Sequence, residues 1–377
     1  MKKVFINTVL ASLICFNFAC KEKPEIEEPE EPTELKVPGV VWVAQTEFTE
    51  KVINPPGQWY NPKLKILDDV LYVCHNKGIF SKKLNEEGSK WELYAFAGLP
   101  VIDFVKKGNK VLAVSHATTL QQDKTLLLSN AGEDTYEDLT SPLFFGPEYE
   151  MSSLWRIVQH PQNPDIVLVY AHVGVFISEN FGTSWRELKN TVHRISQYMD
   201  IAFHPLDPTT IFYAGETIND LGFIEKSSNS GNTWSYYQTP DINCVHSIAF
   251  HPTNPNILVY SGEAAFGKSD DKGNTWKWIN LRSVSVAPEE DMYFLKVLFD
   301  ENNPEILYAN GYHAIAHREA DVICLYRSTD MGDSWHLAFE EKMPNKGDGV
   351  VYDMVKYKNK IFFYSYGCGI VELELEF

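Results

Sequence analysis

The chain has 377 residues, with 51 acidic against 33 basic side chains and a formal net charge of −18. Negative charge on that scale repels phosphate backbones and anionic headgroups, so nucleic acid and direct binding to a membrane surface are excluded as expectations. Cys74, Cys244, Cys324 and Cys368 follow no zinc-ligand spacing; they read as buried thiols, or as a Cys74–Cys368 bridge, and no metal or other cofactor is expected.

Lys2 and Lys3 precede an apolar run from Val4 to Ala19, and Cys20 follows it. This reads as a secretion signal spanning 1–20, too short and too soon followed by charge to be a membrane span. Ala19-Cys20 reads as a lipoprotein cleavage site, with Cys20 as the lipidated residue. That predicts a protein anchored in the cell envelope at the outer membrane, facing the periplasm or the exterior, with the lipid as its only membrane contact. Residues 21–37 are rich in Glu and Pro and have almost nothing apolar to bury, so a disordered tether is expected.

Residues 38–377 lack any sustained helical period. Short apolar runs alternate with Gly, Pro, Asn and Asp turns, which predicts an all-β domain. One phrase returns four times: Ser178-x-Asn180-x-Gly182-x-Ser184-Trp185, then Ser227 to Trp234, Ser269 to Trp276 and Ser328 to Trp335. A second phrase sets the phase. His160-Pro, His204-Pro and His251-Pro each stand before an apolar run, with Asp300 in the same place in a later copy. The repeating unit is therefore strand a, a Pro-containing turn, strand b, a loop, strand c, the Ser-to-Trp turn, and strand d. Copies run over 66–96, 101–139, 152–189, 195–239, 244–280 and 291–341. The last piece, 350–377, supplies only three strands, and Gly39 to Thr46 reads as the missing strand d.

The chemistry of the Ser-to-Trp phrase is that of a tight hairpin. Asp or Asn can close the turn on its own backbone, Gly can take a left-handed conformation, and Trp brings apolar area to bury between units. The phrase resembles the Asp-box, or BNR repeat, of β-propeller proteins, which include sialidases, xyloglucanase-type glycoside hydrolases and sortilin-like receptors. The resemblance implies a seven-bladed β-propeller whose last blade is closed by an N-terminal strand. Such closure hides the sheet edges, and a monomer is expected.

In such a fold the b–c and d–a loops share one face, and function is expected there. The residues at or just past strand b are His75, His116, His172, Glu216, Glu263, Tyr312 with His313, and Tyr366. Aromatic side chains on the same side include Trp59, Tyr60, Trp155, Tyr198 and Tyr293, with His246 near the start of a strand a. Counting back from each a–b turn gives a column of Lys65, Asp103, Arg156, Asp200, Ser247, Lys296 and Asp353, read as inter-blade ion pairs near the channel or, alternatively, as a charged lining that recognises a polar ligand. The resemblance to sialidases stops at the repeats. Their Arg-Ile-Pro signature is missing and only six Arg exist, of which Arg186 and Arg327 adjoin the Ser-to-Trp turns, so sialidase activity is not expected. Xyloglucanase-like hydrolysis would need two carboxylates across a cleft, with Glu216, Glu263, Asp291 and Asp348 as candidates. The expected function is binding of a glycan or protein partner on the loop face. Candidate contacts are His75, His116, His172, Trp155, Arg156, Tyr198, His246, Tyr312 and Tyr366.

Overall fold

The computed structural model describes residues 40–45, 48, 61–115, 125–144, 154–171, 173–191, 194–240, 242, 244–281, 291–314, 322–343, 345 and 348–375. These residues form seven four-stranded antiparallel sheets, and the fold is a seven-bladed β-propeller. The blades cover 64–95, 101–138, 154–190, 195–238, 245–280, 291–342 and 351–375, with strands a to d running from the channel outward. Val40–Gln45 is the outer strand of the last sheet. It pairs antiparallel with Gly369–Leu375, and Trp42 stands opposite Leu373. The expected lipoprotein signal, Cys20 and the expected tether lie outside the described residues.

The hydrophobic core consists of layers between blades. Leu168, Tyr170 and Ile177 of blade three pack on Ile201, Ile211 and Tyr213 of blade four. Phe212 and Ile224 of blade four meet Ile248, Leu258 and Tyr260 of blade five. Strand b is therefore buried on both faces, as in Val167–Ala171, while strand d is largely open to solvent, as in Arg186–Asn190, where no residue is fully buried. All four cysteines described are buried and free, so the Cys74–Cys368 bridge does not form.

The four Ser-to-Trp segments share one turn, closed by the Ser hydroxyl and the Asn or Asp side chain in every copy and by the Trp indole in all but the third, where Trp276 Nε1 has no hydrogen-bond partner among the described residues. In the first, Ser178 Oγ accepts the Gly182 amide at 2.8 Å, and Asn180 Oδ1 accepts the Ser184 amide at 2.8 Å. Trp185 Nε1 donates to the Gly182 carbonyl at 3.0 Å. The Trp rings pack toward the preceding unit: Trp335 of blade six stacks on Phe266 of blade five with centroids 4.0 Å apart. Glycine is needed here for two reasons. Gly273 has φ +73°, and a Cβ there would stand 2.7 Å from the fully buried Phe212 ring of blade four. Gly88 has φ +74° but nothing within 4 Å. Gly273→Ala should therefore lose about 1–3 kcal/mol more stability than Gly88→Ala, since backbone strain is common to both and only the first adds a clash in the core. Urea unfolding of the two variants measures the difference.

Candidate functional site

Strand a begins at the loop face, and in six blades it carries a register irregularity immediately before the residue that faces the channel: Asp103, Arg156, Asp200, Ser247, Lys296 and Asp353. Blade one departs from the sequence alignment. Its a–b turn is the tight pair Asp68 and Asp69, with φ 52° and 61°, and Leu67 already pairs with Val70. The channel residue is therefore Lys63, whose carbonyl accepts the Cys74 amide, and Lys65 is displaced by two.

The three ring aspartates staple neighbouring blades. Asp103 accepts the amide of Phe104 in its own strand at 2.8 Å and that of Ile157 in blade three at 3.3 Å. Asp200 does the same with Ile201 at 3.1 Å and Ile248 at 2.8 Å. Asp353 accepts Met354 at 3.0 Å and, across the closure, Leu64 of blade one at 3.0 Å. Burial alone would raise the Asp353 carboxyl, but Lys63, Lys296, Arg156 and the Leu64 amide together hold it below its usual value. Lys65 pairs with Asp103 at 2.6 Å, so this part of the column is an ion pair, as expected.

At the loop-face mouth, blades four to six bring together a second group. Glu216 is the penultimate residue of strand b of blade four and is only 7% exposed. Its carboxyl is pushed up to about 7, first by burial, then by a hydrogen bond with Asp220 and the nearby Glu263 carboxylate. Glu263 bridges to Tyr293 at the backbone, which sets the blade-five loop against strand a of blade six. His246, Tyr293 and Tyr312 form a stack: His246 and Tyr293 centroids lie 6.1 Å apart at 24°, Tyr293 and Tyr312 5.4 Å apart at 13°. Tyr293 and Tyr312 are a register pair, so strand pairing itself builds this stack.

Other sequence candidates fall elsewhere. His75 is fully buried, edge-on to Phe48 and Phe80, and accepts the Lys77 amide through Nδ1; as the last residue of strand b it points inward, so it packs the core and is not a rim contact. Asp348 is buried and accepts Asn345 Nδ2 at 2.8 Å, beneath Gly367, where a Cβ would meet its Oδ1; it ties the entry to blade seven and faces no cleft. Trp155 is half-buried against the core layer between blades three and four. Tyr366 meets Tyr352 edge-on at 6.0 Å. Trp59, Tyr60, His116, His172 and the side chains of Tyr198, Asp291 and His313 lie outside the described residues. Asp220 and Tyr352 were missed; the Glu216-x-x-x-Asp220 spacing across the b–c turn of blade four was the available signal. Among the described residues, no group of three or more His, Cys, Asp or Glu side chains has the geometry to hold a metal ion.

No protein-family model matches the sequence, and neither does any curated protein. Solved structures do. A YCF48 structure bound to D1 peptide aligns with a TM-score of 0.57 at 13% identity, over 89% of this chain and 96% of that one. A chain of the mitotic checkpoint complex aligns with a TM-score of 0.59 at 8% identity, over 97% and 99%. A GH74 xyloglucanase from Xanthomonas campestris aligns with a TM-score of 0.55 at 12% identity, over 88% of this chain and 53% of that one, so the chain spans about half of that enzyme. At these identities the likeness is one of fold.

The Glu216 carboxyl makes a directional prediction. Its value is about 7 in the folded protein against an ordinary value of 4.5. The folded state thus binds the proton more tightly, and this contribution to stability is full below the unfolded value and lost as pH rises through about 7. Glu216→Gln should flatten the fall in stability between mildly acidic and neutral pH, read from thermal unfolding at a series of pH values. An unchanged pH slope would contradict the assignment.

Proposed function

We propose that the protein is an Asp-box propeller lipoprotein, anchored through Cys20 in the cell envelope, that captures a segment of a partner protein at the loop-face mouth of its channel. The observation that carries this reading is the coupled acid group of Glu216, Asp220 and Glu263 beside a closed aromatic stack. Coupled carboxyls attract a cationic or hydrogen-bond-donating side chain. Ile218, in the same blade-four loop, is 56% exposed and offers an apolar anchor next to them. A sugar needs an open ring face, but Tyr293 is sandwiched between His246 and Tyr312, and Tyr312 is 4% exposed. Full-length alignment with the peptide-bound YCF48 propeller supports the same reading, as does the checkpoint-complex chain.

A second reading has one observation in its favour. A carboxyl raised to about 7 beside a second carboxyl is the kind of pairing that glycoside hydrolysis uses, and a GH74 enzyme shares the fold. One experiment separates the two. The protein lacking residues 1–35 is screened against basic peptides and against glycans, with reducing-sugar release followed in parallel. Peptide binding that weakens roughly tenfold in Glu263→Gln and at high salt, without sugar release, is the expected result. Sugar release abolished by Glu216→Gln would replace the binding reading with the hydrolytic one. Fatty-acid labelling of the full chain, lost in Cys20→Ala, checks the anchor.

A further inference from the structure

The channel ring contains charges of both signs, and they are not equally satisfied. Each ring aspartate accepts two backbone amides, and Asp103 pairs in addition with Lys65. The ring cations are less fully paired. Arg156 is 5% exposed; its Nε donates to the Met199 carbonyl at 3.0 Å, but its buried Nη1 has no hydrogen-bond partner. Lys63 is 8% exposed, and its Nζ comes no nearer than 4.0 Å to Asp353, outside hydrogen-bond range. Lys296 is half-buried and makes no ion pair or side-chain hydrogen bond among the described residues. A buried guanidinium with an idle donor, facing two under-paired ammonium groups, is electrostatically incomplete as it stands.

We propose that the channel holds a site for a small oxyanion, a carboxylate or a sulfate, cradled by Lys63 of blade one, Arg156 of blade three and Lys296 of blade six. The guanidinium fork suits two oxygens of such a group, and the two ammonium groups supply point charges around it. On the a–b turn side a cavity of about 530 Å³ reaches one of the three cations, Lys296, and is also lined by Ile66, Phe299, Met354 and Tyr357, with Asp69 and Glu301 exposed at its rim. This site lies apart from the loop-face acid group and does not depend on the partner-capture reading.

The state of Lys63 fits. Its ammonium is lowered to about 7, first by burial and then by Arg156 and Lys296, with Asp353 and Asp200 opposing them; Lys65 stands two residues along the same chain segment, and Asp103 and the Cys74 thiol occupy the adjoining strands. An anion seated among the cations favours the charged ammonium, so binding near pH 7 takes up a proton.

The test is calorimetric titration of the protein with sodium acetate and, separately, sodium sulfate, against sodium chloride at matched ionic strength. Saturable binding of acetate, sulfate or both, absent with chloride, is expected, and the two arms show which oxyanion the cradle prefers. Lys296→Gln should weaken it roughly tenfold, while Lys358→Gln on the cavity rim leaves it unchanged. Should Lys296→Gln misfold, the unmodified protein still decides: titration near pH 7 in two non-oxyanion buffers of different ionisation heat must show proton uptake. No saturable heat with either anion, undiminished binding in Lys296→Gln, or a heat independent of buffer would overturn the proposal.

Discussion

The structure depends on how seven wedges are joined at the channel, where their backbones come closest and water is least able to satisfy them. Every junction carries a polar link in or beside strand a. Asp103, Asp200 and Asp353 serve three of them, each carboxylate taking one amide from its own blade and one from the next. Blade one meets blade two through the Lys63 amide on the Ile102 carbonyl and through Lys65 on Asp103. Arg156 reaches the Met199 carbonyl, His246 the Phe294 carbonyl, and Asn310 Nδ2 the Val351 carbonyl, which completes the circle. Apolar layers between blades supply most of the burial, but they are non-directional. The polar links fix which residue of one strand a stands beside which residue of the next.

That constraint also explains the charge on the two parts of the channel. A carboxylate that joins two strands must stay ionised without solvent, and the nearby cations help it do so, as the depressed Asp353 shows. The cations then exceed what those carboxylates can neutralise by direct contact, because the carboxylate oxygens are turned to backbone amides. At the mouth the balance reverses. Glu216 and Glu263 are brought together there, and burial with the neighbouring Asp220 and Glu263 keeps the Glu216 carboxyl protonated up to about 7. Both departures from ordinary side-chain chemistry follow from joining blades through a narrow axis.

The fold was legible because its signals are local. The Ser-to-Trp turn closes on its own side chains within eight residues, and each copy does so independently, so the repeat could be counted from the chain alone. The N-terminal strand was found because the last unit was one strand short. The site was legible only in part, because direction along a strand is not local. Glu216, Glu263, His246 and Tyr312 do converge, but His75, at the same place in its blade, turns into an aromatic cage. Lys63 was passed over for Lys65 because a two-residue turn closes blade one early, and a slip of two keeps the same side of the strand while changing its depth. Asp348 reads as a candidate cleft acid in sequence, yet it is buried and bonded to Asn345.

The central claim is that the ring aspartates join blades through shared amides, and the closure at Asp353 is its most direct test. Amide hydrogen exchange is measured residue by residue in the unmodified protein and in Asp353→Ala. The account predicts that Leu64 and Met354 lose protection together, while Ile157 and Ile248, held by Asp103 and Asp200, keep theirs. Undiminished protection at Leu64 in the variant would contradict it.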